Sequence, residues 1–495
     1  MAKTSGVCCV LTLQLKPELW QIDIIEKRFK IMEHLKNSLI AFELRKLKNI
    51  ERTREYRKIM QEISATSGTE RNNLYKKRNK LLKDAGFSEF DFIDDITPMQ
   101  KHFIEHFAAQ VAQKSASDVW RSFEKMLFGN GKSIHFTRRN TLDSIACKRI
   151  GNGMNFRGGY FEWNGGRSKN QISLKIRVEE PKTSYEKEML SKKIKNLRIV
   201  RKWSKSKFRY YLQITFEGQP VRKEREVAVG KRVGIDIGPS TIAISSEKEV
   251  RLLELADKVK RNHDKKVYLQ RKMDRSKRIS NPDNYSADGT IRRGKKLNWV
   301  YSRHYERMKM KVRELERKNA AIRKYQHTCL ANEILTLGTE IYVENMSFSG
   351  LQRRAKETTY NSQGRINKKK RFGKSLANRA PAMLLDMLDK KIKYITGSEL
   401  HKVDTQKFRA SQYDHVADTY IKKKLSDRWG ELANGDRIQR DLYSAFLLMN
   451  SAIDMEHADR ELCEKTYKKF KGLHDIEINR IKNDGRKHVM SFGIA

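Results

Sequence analysis

At 495 residues the chain is too long for one ordinary domain and is read as two to four, with ample material for a core. Its 105 Lys and Arg residues stand against 60 Asp and Glu, a formal net charge of +45, which argues against a merely soluble basic protein and for a polyanionic partner: nucleic acid first, an anionic membrane second. The five cysteines (Cys8, Cys9, Cys147, Cys329, Cys463) form no CxxC pair, which excludes a disulfide framework and fits a reduced, cytoplasmic protein; no run of about 18 apolar residues offers a transmembrane helix, so no membrane partner is expected.

The opening GVCCVLTLQL alternates at Cys9, Leu11, Leu13 and Leu15 and predicts a strand. After Pro17 the period becomes helical. Ile25, Phe29, Met32, Leu35, Leu39 and Phe42 form one apolar stripe, and charged helical segments continue to about Phe128, giving a helical lobe over 17–128. From about Gly131 the pattern is that of strands: Ile172, Leu174, Ile176 and Val178 alternate, as do Tyr210, Leu212, Ile214 and Phe216, with turn signals at Asn152-Gly153 and Asn164-Gly165. A small β-barrel or curled sheet is expected here, and the lone first strand is expected to join it, which makes the helical lobe an insertion. Arg138, Arg139, Lys202, Lys205 and Lys207 crowd this segment beside Trp203, a cluster suited to tracking phosphates.

In Arg232–Glu247, RVGIDIGPSTIAISSE, apolar Val233, Ile235 and Ile237 alternate with Gly234, Asp236 and Gly238. A strand here buries one face and holds a carboxylate between two glycines on the other, and the glycines are expected to keep the space above Asp236 open for a metal with a phosphate on it. Two long helices are expected next, one with Leu255, Val259, Leu269 and Met273, the other with Tyr305, Met308, Val312, Leu315, Ile322 and Cys329, broken by Asn281–Gly289; their basic faces also fit a nucleic-acid backbone. Glu340–Met346 reads as a strand carrying Glu344. The basic stretch 353–379, with Lys368, Lys369, Lys370 and Arg371, reads as a solvated loop near that carboxylate. A helix over Met383–Tyr394 and a strand over Leu400–Val403 follow, then a helical piece with Tyr413, Val416, Tyr420, Leu425 and Trp429, and a helix over Arg437–Asn450 in which Asp441, Ala445 and Leu448 share a face.

Asp236, Glu344 and Asp441 are too far apart in sequence for a local purpose but suited to convergence on one sheet. Phosphodiester hydrolysis needs such convergence, because two divalent ions about 3.5–4 Å apart activate water and stabilise the leaving oxygen, and hard Mg²⁺ (or Mn²⁺) prefers carboxylate and water ligands. Asp236 is the candidate to bridge both ions, with Glu344 and Asp441 each holding one side; Asp436 competes with Asp441 for the third place.

The order GIDIGPSTIA, IYVENM, QRDLYSAFLL resembles the split RuvC nuclease motifs of the transposon-encoded TnpB proteins and the related compact type V CRISPR effectors. The resemblance spans essentially the whole chain and implies an α+β multidomain fold: a wedge-like β-barrel (1–16 and 129–230), a helical recognition lobe (17–128) inserted in it, and an RNase H-like (RuvC) α/β nuclease domain (231–396 and 436–495). It implies Asp236, Glu344 and Asp441 as metal-binding catalytic acids. It further implies an RNA-guided DNA endonuclease of a prokaryotic cytoplasm, monomeric with its guide RNA, the guide coming from a transposon end or a CRISPR array, and acting on double-stranded DNA beside a short flanking motif. The family's four-cysteine zinc ribbon is missing between Glu344 and Asp441, an interval without cysteine, so 397–435 is expected to be a degenerate target-strand-loading insertion without zinc, with an apolar minidomain around Tyr413, Tyr420, Leu425 and Trp429; Asp414, His415 and His401 are weak alternative ligands. Other readings are a guided DNA-binding protein without cleavage, an unguided RNase H-like nuclease, and a basic RNA scaffold.

Overall fold

Alternation at Cys9, Leu11, Leu13 and Leu15 builds strand β1 (Cys8–Lys16) with all four side chains buried. The computed structural model describes residues 7–129, 131–151, 153–204, 207–221, 226–292, 294, 296–354, 356–364, 367, 372–422, 427–486 and 488–494. The chain is mixed α+β and divides into two units, Met1–Lys223 and Glu224–Ala495.

In the first unit β1 is followed by α1 (Leu19–Glu51), α2 (Arg54–Ala65), α3 (Gly68–Asp84), α4 (Glu89–Lys101) and α5 (Ala109–Phe128), then β2 (Ser144–Ala146), β3 (Met154–Arg157), β4 (Tyr160–Asn164), β5 (Ser173–Val178), α6 (Ser184–Leu190), β6 (Ile194–Ser204) and β7 (Lys207–Glu217). The strands form one sheet in the order β2-β6-β7-β1-β5-β4-β3, and β1 joins its halves, pairing with β7 from Cys8 to Gln14 and with β5 at Leu15 and Lys16. A capping box starts α1, Glu18 N donating to Gln21 Oε1 at 3.0 Å. Its buried face runs Ile25, Phe29, Met32, Leu35, Leu39, but then through Glu43 and Leu47, while Phe42 is 37% exposed. The helical period, drifting by a residue, put a carboxyl where the sequence pattern put a ring. Arg28 pins α1 to the sheet, donating to Trp163 O at 2.7 Å and Ile172 O at 2.6 Å. The turn signal at Asn164-Gly165 falls where the chain leaves β4 to return antiparallel as β5, and Gly165 is also a close packing point, since a Cβ on it would strike the carbonyl of Glu105; the β3–β4 turn is made by Gly158 and Gly159, at φ 55° and 78°. Asn152 lies outside the described residues.

The second unit opens with β8 (Arg232–Ile237), β9 (Thr241–Ser246) and β10 (Val250–Glu254), continues through α7 (His263–Ile279) and α8 (Arg303–Leu337) to β11 (Glu340–Glu344), α9 (Phe348–Leu351), α10 (Gly373–Arg379), α11 (Pro381–Thr396), β12 (His401–Val403) and α12 (Thr405–Phe408), and ends with β13 (Tyr413–Asp414), β14 (Thr419–Tyr420), β15 (Trp429–Glu431), β16 (Arg437–Gln439), α13 (Arg440–Met449) and α14 (Arg460–Asn483). Its central sheet has the order β10-β9-β8-β11-β12, antiparallel from β8 to β10 and parallel from β8 to β12. One face carries the cluster of Ile235, Val343, Ile334 and Leu388 from β8, β11, α8 and α11; the other carries α13 and α14.

Three expectations are corrected in this unit. Leu255 and Val259 precede α7, in a turn and a short 3₁₀ segment. In place of a helical piece the described residues make two small hairpins: Tyr413 pairs with Tyr420 across a turn at Asp418 (φ 57°), and β15, which contains Trp429, pairs with β16. Of these residues, Tyr413 joins the core under α13 and α14 and Tyr420, whose ring lies 4.9 Å from that of Tyr413, is exposed; Leu425 lies outside the described residues. Finally, Arg437–Gln439 is strand, and the helix starts at Arg440.

Candidate nuclease site

Sheet register brings the first two acids together. The parallel ladder pairs Arg232 with Glu340 and Ile235 with Val343, so the next step along it sets Asp236 beside Glu344 at the open end of both strands. The third arrives on α13, which packs on β8 because Gly234 has no side chain: a Cβ there would run into Ala445 O and Met449 N. Gly234 therefore does not hold space open above Asp236, as expected; it admits the helix backbone that delivers Asp441.

Asp236, Glu344 and Asp441 line one cavity of about 700 Å³ together with Arg428 and Arg440. Burial, then the charges of Asp441 and Glu344, push the Asp236 carboxyl well above its ordinary range, with Arg440 and Arg428 opposing. Burial also raises Glu344. Asp441 faces two guanidinium groups, Arg440 Nη2 at 3.4 Å and Arg428 Nη1 at 3.6 Å. Among the described residues no three His, Cys, Asp or Glu side chains are gathered tightly enough to cage an ion by themselves. The donor chemistry fits a hard divalent cation nonetheless: an all-oxygen set whose members repel one another's charge, in a cavity with room for the water and phosphate oxygens that such ions retain.

Three supporting residues had little sequence signal. Arg428 is set by the β15–β16 hairpin, where Arg440 N donates to Arg428 O at 2.9 Å. Gln439 caps α13, its Oε1 accepting from Leu442 N at 2.8 Å, and its own N donates to buried His474 Nε2 at 3.0 Å. His474 accepts there, so its proton sits on Nδ1, 2.8 Å from Asp475 Oδ1, and burial holds the ring neutral by lowering its pKa. Helix α14, which carries His474, thus braces the turn carrying Asp441.

The other candidates are placed as follows. Asp436 turns away, to Tyr467 OH at 2.7 Å and Asn434 Nδ2 at 2.8 Å. His401 pairs with Glu340 at 2.7 Å, His415 Nδ1 bonds Tyr443 OH at 2.7 Å, and Asp414 accepts from Val416 N and Ala433 N at 2.9 Å, so each has a structural partner. In the first unit Arg138, Arg139, Lys202 and Lys207 are exposed, and Trp203 is half-buried with its ring edge-on to Phe208 at 4.9 Å. The loop carrying Arg138 and Arg139 runs into β2 alongside β6, where Arg201 N donates to Asp143 O at 2.9 Å. Lys205, Lys368, Lys369, Lys370 and Arg371 lie outside the described residues. No helix among the described residues is long and apolar enough to cross a membrane.

No family model and no curated protein matches the chain. Among solved structures it is similar to a Cas12f1–sgRNA–target DNA complex (11% identity, 90% of this chain and 99% of that chain, TM-score 0.46) and to a CRISPR-Cas12f ternary complex (13% identity, 87% and 82%, TM-score 0.29). Both scores are below one half, and what the site can do is carried by its own residues.

Proposed function

We propose that the chain is an RNA-guided DNA endonuclease that hydrolyses target DNA phosphodiesters in the cavity of Asp236, Glu344 and Asp441. The observation that carries the nuclease reading is the convergence of these carboxylates, from two adjacent parallel strands and a helix, in one cavity with Arg428 and Arg440. Divalent ions, Mg²⁺ or Mn²⁺, would supply water activation and stabilisation of the leaving oxygen when held by the three acids. The chain's own residues do the rest. Asp236 and Glu344 are fixed by strand register, Arg428 and Arg440 offer guanidinium groups to a phosphate, and Gln439 with His474 holds the turn that positions Asp441.

The guided half of the reading is supported by the order of the three motifs, which resembles that of TnpB and compact type V effectors, and by the net charge of +45. Base pairing would read the target while exposed Arg138, Arg139, Lys202 and Lys207 track phosphates; zinc has no part in this reading.

The test is to purify the chain expressed with its native flanking DNA, sequence the RNA that survives nuclease treatment, and supply that RNA for cleavage of matched duplex DNA with Mg²⁺. A discrete RNA with a variable end, and cleavage abolished by Asp236→Ala with guided binding retained, is the expected result. Heterogeneous RNA, or cleavage unchanged by Asp236→Ala, overturns it.

A further inference from the structure

Outside the acid cavity, the strongest unexplained feature is the hairpin of α7 and α8. The two helices meet along a short apolar seam of Leu269, Met273, Met308, Val312 and Leu315. The described residues of the segment joining them, 280–292, 294 and 296–302, form a built cap. Buried Asn281 ties both its ends, donating Nδ2 to Lys277 O and Val300 O at 2.8 Å and accepting from Val300 N at 2.7 Å. Arg278 Nη1 donates to Gly289 O at 2.8 Å across it.

This cap puts its rings among cations. Lys277 Nζ lies 3.6 Å from the Trp299 ring centre, Arg278 lies 4.7 Å from that of Tyr285, and Tyr301 stacks on Tyr305 at 4.5 Å with Lys309 Nζ 5.8 Å from Tyr301. Ile279 and Val300 beside them are 80% and 65% exposed, and Tyr301 42%. From 263 to 318 the sequence carries 18 Lys and Arg against seven Asp and Glu. Rings that alternate with cations suit a partner alternating phosphate with base; one continuous apolar face would suit lipid or a protein groove.

We propose that the α7–α8 cap is a platform for a single-stranded stretch of polynucleotide, bases stacking on Tyr301 and Trp299 and phosphates pairing with Lys277, Lys309 and their neighbours. None of these residues lines the acid cavity, so the platform is a second nucleic-acid site that does not depend on cleavage.

The test is photo-crosslinking of the full chain in EDTA to 15-nucleotide single strands, RNA carrying 4-thiouridine or DNA carrying 4-thiothymidine, with crosslinked peptides mapped by mass spectrometry. Crosslinks within 280–305 are expected. Tyr301→Ala should weaken strand binding roughly five- to a hundredfold, the loss of one stacked base, with an unchanged salt slope. Tyr301→Phe, which keeps the ring, should bind as the parent does, and Lys277→Glu with Lys309→Glu should flatten the salt slope. Stronger crosslinking by the RNA or by the DNA assigns which strand the platform holds. Crosslinks only outside the cap with unchanged affinity of Tyr301→Ala, or Tyr301-dependent binding to phosphatidylserine vesicles in place of strand, overturn the proposal. Because the assay runs without divalent ions, loss of the nuclease reading leaves it standing, and intact guided cleavage does not rescue it.

Discussion

Gly234 presents its bare Cα to the carbonyl oxygen of Ala445, and this contact sets the distance between sheet and helix at the acids. Two residues along β8 advance about 6.6 Å, and four along α13 about 6 Å. With Gly234 under Ala445, the strand step to Asp236 therefore matches the helical turn back to Asp441.

Gly234→Ala is the sharpest test of that match. Overpacking costs about 1–3 kcal/mol where side chains can yield, and here the clash is with backbone. The expected result is a fall in Tm of roughly 5–12 °C by calorimetry, with cleavage lost even at temperatures where the protein stays folded. Parental stability and activity would remove the close contact as the determinant.

Asp236→Asn removes a charge that burial, Asp441 and Glu344 all disfavour. Without divalent ions the variant is expected to melt above the parent. Added Mg²⁺ should raise the parent's Tm and leave the variant's unmoved, since ligand binding to the folded state stabilises it. Equal Mg²⁺ shifts in differential scanning fluorimetry would place the ion elsewhere.

Arg428→Ala and Arg440→Ala each remove one guanidinium from Asp441 and the cavity. If these groups hold the reacting phosphate, single-turnover cleavage falls roughly 10²-fold for each while guided binding of DNA is retained. Loss of binding in parallel with cleavage would make them anchoring groups for the strand.

Glu43 supplies a pH test independent of the site. It is buried between α1 and α4 near Asp95, which holds Lys46 at 2.8 Å, and burial is the main cause that lifts its carboxyl to about 8. The folded unit thus binds a proton that the unfolded chain releases near 4.5. The stabilisation is full below about 4.5 and lost as pH rises through about 8. Glu43→Gln should flatten that decline, matching the parent at pH 5 and exceeding it at pH 9 in urea unfolding of the full chain. A parental slope unchanged by the substitution would mean that Glu43 is ionised throughout.

Much of this was legible in the sequence. Alternation at Val233, Ile235, Ile237 and at Ile341, Val343 marks two buried strands that carry Asp236 and Glu344, and strand period is a strong local signal. Tyr413, Val416 and Tyr420 misled because steps of three and four imitate a helix, whereas Asp414 makes a turn by accepting from Val416 N and Asp418 turns at φ 57° with its carboxylate accepting from Tyr413 OH. Arg428 had no local signature at all, since only the pairing of β15 with β16 sets it opposite Arg440. Gln439 and His474 were hidden for the same reason: their bond spans 35 positions, and nothing nearby demands it.

The strand order also fixes when chemistry becomes available to the growing chain. A ribosome moving N- to C-terminal at about 5–20 residues per second delivers Asp236 first, then α7, α8 and the neighbouring strand with Glu344, and α13 with its α14 brace after them. Any product abandoned before α13 lacks Asp441 and the helix that seats it, so the proposed site is not assembled in it. The three acids meet only once α13 has been made, an order written into the topology.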